Sequence, residues 1–518
     1  MPKYILILLA VVMTCISLGI VWKIQDYQDQ VIIEKKLLPE DFAKQHGAPP
    51  GVALSNVFLG PFRNLMVSAL WLRMDRLQKQ GKFFEMVQLA DWLLRVQPEN
   101  ATAAQYLAWN MAYNITVTQQ NYDVRRRWIK KALETLQTAM KYNPNDPILY
   151  REMAWIYQHK LGDELDNAGP YYRAKMAEEN LRIFGGTHSP DWKQLAAEPE
   201  SWEAFYEKNP TLRRFCSGRE EELEKMFLAT GAMPEKIALN ESEKEKLTLF
   251  LRNMVIRKDL MIDPAHAAWV EAEYGKLNWL LPDAFAIYWG SMGLKKIPDE
   301  RTLHCQRIVA QGLKMMMLSG RIIYADGEPG QNYIRLPDFN LVDVACREIK
   351  KMADLMQGGL EHSGYHYFLM DVVEMLYLYG YKEKAAEYYK ILTEEVPTET
   401  TDKTVQEFVM ARVRDKIKTM RNDQLQGTVS SFILQSIFAF ANGADDDAQE
   451  MLQGAEVLYN TYRKAHNSDE ERERLRLPPF KEFKRNVTDL VLKRFPDLSP
   501  TVKAKLDLQE NKVPTVEK

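Results

Sequence analysis

At 518 residues, with 46% hydrophobic and 27% charged side chains, the chain is too long for one ordinary core and has the composition of a folded protein. Glycine (25) and proline (24) stand at ordinary levels, which excludes collagenous and disordered classes. A net charge of −3 supplies no global basic field to hold nucleic acid, and four cysteines are too few for a disulfide scaffold.

The first predicted element is a membrane anchor. Residues 5–22 read ILILLAVVMTCISLGIVW, without a charge, and Tyr4 and Trp22 flank the run. Eighteen helical residues span about 27 Å, enough for a bilayer's hydrocarbon core, and amphipathic rings favour its two faces. No A-x-A-like cleavage site follows the run. The expectation is an uncleaved transmembrane signal-anchor over 1–23, oriented N-in and C-out, with the bulk of the chain periplasmic. The mean hydropathy of −0.37 restricts the membrane part to a small fraction. Residues 24–66 read as a stalk, broken by HGAPPG at 46–51 because proline lacks the amide donor and fixes φ.

Beyond the stalk the strongest signal is a recurring spacing. GKFFEMVQLADWLLRVQP at 81–98 and GYKEKAAEYYKILTEEVP at 380–397 both open on a glycine turn, run as an apolar helix and close on proline. Ala385, Tyr389 and Leu392 share one helical face. Ala132, Leu136, Ala139 and Pro144 repeat the order, as do Gly443, Ala448, Leu452 and Ala455. A second amphipathic helix lies upstream of each. Small alanines let antiparallel helices approach closely, and such a pair cannot bury its face alone, so neighbours must stack.

Tyr150, Met153, Ala154 and Tyr157, with Gly380, Ala385, Tyr389 and Pro397, resemble the tetratricopeptide repeat family. The likeness covers 67–185 and 363–465, with extra residues between Asn114 and Ile129. It implies an all-α fold, an α-solenoid of helix pairs behind the anchor. Residues 186–362 read as a degenerate helical region, PDAFAIYWGSMGLKK and HCQRIVAQGLKMMML forming one more pair. A small β-hairpin insertion is expected near 320–336, and residues 466–518 read as a charged tail. The whole pattern resembles anchored repeat proteins of the bacterial inner membrane.

Motifs for chemistry are absent: there is no phosphate loop, dinucleotide fingerprint, serine-nucleophile elbow, H-E-x-x-H or C-x-x-C. His362 and His366 stand four apart but lack a nearby third ligand, which favours a surface role over a metal. His304–Cys305 with Cys346 reads as two buried thiols rather than a thiol site. Asp445, Asp446 and Asp447 fit a helix start. No catalytic residue, metal or cofactor is expected.

The family resemblance implies a concave groove lined by the first helix of each pair. Carried over, it points to Trp71, Asp75, Gln78, Gln105, Trp109, Arg151, Trp155 and Gln158, with Met370, Glu374 and Tyr377 distally. Trp109 and Trp155 either present a ladder to a partner or pack between helices. Asn110 and Asn114 either bind a partner's backbone or cap the interrupted helix. The expected function is a membrane-tethered scaffold for partner proteins or peptides. Two alternatives remain: a structural accessory subunit of an envelope export or polysaccharide-assembly machine, and an enzyme with a site around His266, Glu271, Glu273 and His304.

Overall fold

The computed structural model describes residues 63–505, apart from 163–165, 297–299, 325–332, 357–358, 398–402, 421, 466–476 and five positions between 496 and 503. Met13 and Lys23 are described as well. Apart from Met13, the expected anchor at 5–22 lies outside the described residues, as do 24–62 of the expected stalk and the end of the tail from 506; residues 63–66, read as the end of the stalk, already belong to the helix Arg63–Lys79. Among the described residues no helix is long and apolar enough to cross a membrane. Among the described residues the fold is helical apart from one two-stranded sheet. Two compact units divide it, residues 1–156 with 293–302 and residues 157–292 with 303–518.

The first unit is built from successive helices α1 (Arg63–Lys79), α2 (Phe83–Val96), α3 (Ala101–Trp109), α4 (Tyr122–Tyr142) and α5 (Pro147–Trp155). Their ends follow local chemistry. Gly81 adopts φ +70 between α1 and α2, and Lys82 N donates to Leu77 O at 2.9 Å, the closing bond of a left-handed C-terminal cap. Asn100, Asn121 and Asp146 accept backbone N–H groups at the starts of α3, α4 and α5. The small-residue stripe is the core: Ala90, Ala104, Ala108 and Ala132 are fully buried with Met74, Met86 and Leu136. Helix α3 does not stop at Trp109. It widens into a π-helical segment, Asn110–Ile115, and returns to α-geometry through Thr118.

Helix α5 widens in the same way over Ile156–Leu161 as the chain passes into the second unit. There α6 (Gly169–Ile183) leads to three short helices, α7 (Trp192–Ala196), α8 (Trp202–Lys208) and α9 (Pro210–Cys216). Then come α10 (Glu220–Thr230), α11 (Glu241–Lys258) and α12 (Pro264–Tyr274). Aromatic packing joins them: Phe205 stacks on Phe250 at 4.2 Å and Trp192 meets Trp279 edge-on at 4.6 Å. Arg252 on α11 donates to Ile183 O at 2.8 Å and Gly231 O at 3.3 Å, so one guanidinium ties the C-terminal ends of α6 and α10. The expected degenerate pair is α13 (Pro282–Leu294) and α14 (Glu300–Ser319). A β-carbon added at Gly312 would come 2.8 Å from Ile287, which shows how closely these helices approach.

The hairpin forms as expected, with β1 (Arg321–Tyr324) antiparallel to β2 (Tyr333–Leu336) and Ile322 opposite Arg335. Charge pairs hold it to the helices: Arg335 lies 3.2 Å from the buried Asp283, and Arg321 lies 3.0 Å from Asp447. After it come α15 (Val342–Met356), α16 (Gly359–Leu378), α17 (Lys382–Glu395), α18 (Val405–Thr419), α19 (Asn422–Ala441) and α20 (Asp445–Ala465). Gly380 and Gly443 turn the chain between helices with φ +85 and +78, and Ala385, Ala448 and Ala455 are fully buried. The expected charged tail is corrected in part. Residues Phe480–Arg494 form a helix, α21, because Phe480 and Phe483 bury their rings against Tyr459, Phe483 stacked on it at 4.8 Å.

Candidate protein-binding surface

The first helices of successive pairs in the first unit, α1, α3 and α5, link four of the expected groove residues, Trp71, Gln78, Gln105 and Arg151, through Tyr106 and Glu152. Trp71 on α1 meets Tyr106 on α3 edge-on at 5.4 Å. The Tyr106 hydroxyl donates to Gln78 Oε1 at 2.5 Å. From the residue beside Tyr106, Gln105 Nε2 donates to Glu152 Oε2 on α5 at 3.1 Å, and Arg151 lies 3.2 Å from the same carboxylate. Asp75 is exposed and pairs with Lys79 one turn on. Trp109 keeps 38% of its surface exposed and tilts against Tyr113 at 5.6 Å; Trp155 is half-buried.

Glu152 is the unusual member. Only 1% of it is exposed, and its Oε1 is buried without a hydrogen-bond partner among the described residues. Burial pushes its carboxyl above the ordinary range, with Arg151 and the Gln105 amide pulling the other way. Sequence reasoning passed over both Glu152 and Tyr106. A glutamate on the apolar stripe of Leu149, Met153 and Ile156 was the available signal, since a buried charge needs a partner.

Other expected positions are occupied within the chain. Asn110 is buried and donates to Tyr106 O at 2.7 Å, and Asn114 donates to Asn110 at 2.6 Å, so both serve the widened helix rather than reaching outward. Gln158 lies past the Ile156 widening and donates to Ile308 O at 3.1 Å. In the second unit Met370 and Glu374 are buried beneath α18. Arg412 donates to Glu374 at 3.0 Å and to Asp371 at 2.7 Å, and Lys416 reaches Glu374 at 2.7 Å. Tyr377 is half-buried.

The middle region gathers no catalytic set from its candidates. His266 Nε2 shares a hydrogen bond with Ser291 at 2.9 Å, Glu271 accepts from Ser189 and the Trp279 indole, and Glu273 pairs with Arg347. His304 is exposed. A cavity of about 600 Å³ in the second unit is lined by Gln194, Thr248 and Arg252 with several Lys and Glu residues, and none of these four candidates borders it. His362 and His366 face different carboxylates, Asp354 at 4.0 Å and Glu395 at 3.8 Å. Among the described residues no cluster of three His, Cys, Asp or Glu could hold a metal. Cys305 and Cys346 are buried, and neither is in a disulfide.

A scan against protein-family models finds no match to this chain, and a search of curated proteins finds no relative.

Proposed function

We propose that this chain is a membrane-tethered protein–protein interaction scaffold, an α-solenoid of tetratricopeptide-like helix pairs whose first helices receive a partner protein or peptide. The supporting observation is the row Trp71–Tyr106–Gln78 and Gln105–Glu152–Arg151, in which hydrogen bonds between successive first helices fix the surface in advance. A preformed surface loses little freedom on binding. Trp109 leaves a large ring exposed beside that row, and aromatic and Arg side chains are the commonest anchors of interface energy. Met370 and Glu374, already covered by α18, are not part of the surface.

In this reading the apolar run at 5–22 is the tether, and the body lies on the periplasmic side of a bacterial inner membrane. A photo-crosslinking residue at position 109 tests the surface. It should give discrete adducts in membranes that are lost when Gln105 and Arg151 are replaced by Ala, whereas the same group at Gln449 should give none. Absence of a position-specific adduct removes the surface assignment. Full-length protein washed from membranes by carbonate would remove the tether instead.

A further inference from the structure

Charge is unevenly divided along this chain. Residues 63–156 carry thirteen Lys and Arg against eight Asp and Glu, an excess of five positive charges within a chain whose overall balance is −3. Much of the excess sits at the start of α4, where Arg127, Lys130 and Lys131 are all exposed. None of the three has a carboxylate partner among the described residues, whereas basic side chains on α1 and α2 such as Lys79 and Arg95 pair with Asp75 and Asp91. Beside them stands apolar surface. Phe84 at the start of α2 lies edge-on to Trp128 at 5.7 Å and remains 49% exposed, which brings exposed Lys82 to the same end of the unit. Tyr122, the first residue of α4, is 38% exposed, and Trp92, two turns along α2, is 59% exposed.

Large rings left in water beside unpaired basic groups have the chemistry of a headgroup layer: rings enter the interface while lysine and arginine meet lipid phosphates. We infer that the α2–α4 end of the first unit, around Phe84, Arg127, Lys130 and Lys131, lies on a bilayer surface of anionic phospholipid. The charge complements that surface, and the exposed rings give the patch a component that simple counter-charge would not need. This goes beyond a tether at 5–22, because it gives the folded body its own contact with the lipid.

Lysine acylation footprinting of the full chain in nanodiscs tests it, comparing phosphatidylcholine alone with a mixture containing phosphatidylglycerol. Each basic group at an anionic surface gains about fivefold in association. Lys130 and Lys131 should therefore react about fivefold more slowly in the mixed discs, with Lys236 of the second unit unchanged as the internal reference. Raising salt to roughly 1 M, where the screening length falls to about 3 Å, should restore their rates. A variant carrying Phe84→Ser and Arg127→Gln, both at exposed positions, should show the restored rates without salt. Equal rates in the two lipids, or slowing that persists in salt or in the variant, overturns the inference. Chain lost from the phosphatidylcholine discs reports on the tether alone; the patch is then read by pelleting with phosphatidylglycerol vesicles, where no association overturns it.

Discussion

Gln105 on α3 and Glu152 on α5 are joined through Nε2 and Oε2 at 3.1 Å, forty-seven residues apart in sequence, and the carboxylate is almost wholly buried. The link runs from one first helix to the next, so it fixes the spacing of the candidate surface at the cost of desolvating a charge.

That cost has a sign in pH. Burial raises the Glu152 pKa above its ordinary value of 4.5, so the protonated form is favoured in the fold. The stabilisation associated with it is complete below about 4.5 and is lost as pH rises through the folded value. Glu152→Gln should melt above the parent at pH 8, and the gap should close toward pH 4. A gap that stays constant with pH would show that the carboxylate is ionised at no net cost.

Gly81 and Gly380 occupy the same turn with φ +70 and +85, yet their surroundings differ. A β-carbon at Gly81 meets nothing within 4 Å, whereas one at Gly380 would sit 1.4 Å from the Glu450 carboxylate. Gly81→Ala should cost about 1–2 kcal/mol from backbone strain alone. Gly380→Ala should cost only slightly more, because the Glu450 carboxylate is the far end of a flexible side chain and can turn aside, and that small excess should vanish in a Glu450→Ala background. Additive losses in that double-mutant cycle would remove the contact from the explanation.

Trp279 is fully buried and Trp109 is 38% exposed. Trp279→Ala should cost roughly 3–5 kcal/mol of stability, and Trp109→Ala less than half of that. Equal losses would make Trp109 a packing residue, and calorimetry on both variants decides between them.

Cys346 is buried, with its thiol pushed up to about 12 by burial, and Cys216 is pushed up to about 11. Thiolate is the reacting form, so neither should take up iodoacetamide in the folded chain at pH 8. Mass mapping should find both modified only after unfolding. Rapid native labelling of Cys346 would mean that its surroundings open.

The parts of the fold that were legible in sequence are those set by local rules. Gly81, Gly380 and Gly443 mark turns because a left-handed residue favours glycine, and the buried Ala132, Ala385 and Ala448 mark helix contacts because small side chains let helices approach. Alternation around a Gly/Pro break placed β1 and β2 within the expected 320–336. The candidate surface was legible only as far as helical phase holds. Gln158 was carried over from the resemblance, which assumes unbroken helical phase, but the π-helical segment at Ile156 adds to the turn and rotates the residues beyond it. Met370 and Glu374 were read as outward-facing because nothing local announces that α18, some forty residues later, supplies Arg412 and Lys416 to cover them. Helix α21 was hidden by its charges, since two phenylalanines decide its packing through Tyr459, a residue of another helix.

Arg252 carries a consequence of a different kind. Its guanidinium is held by Ile183 O and Gly231 O at the ends of two helices, where the backbone dipoles present their negative poles. A carboxylate loses its charge in acid, but a helix end has no proton to gain and so keeps its attraction at any pH that spares the helices. The junction of α6 and α10 thus rests on no carboxylate. In acid the Arg252 junction should therefore hold for as long as the two helices that end on it, an acid-tolerant nucleus.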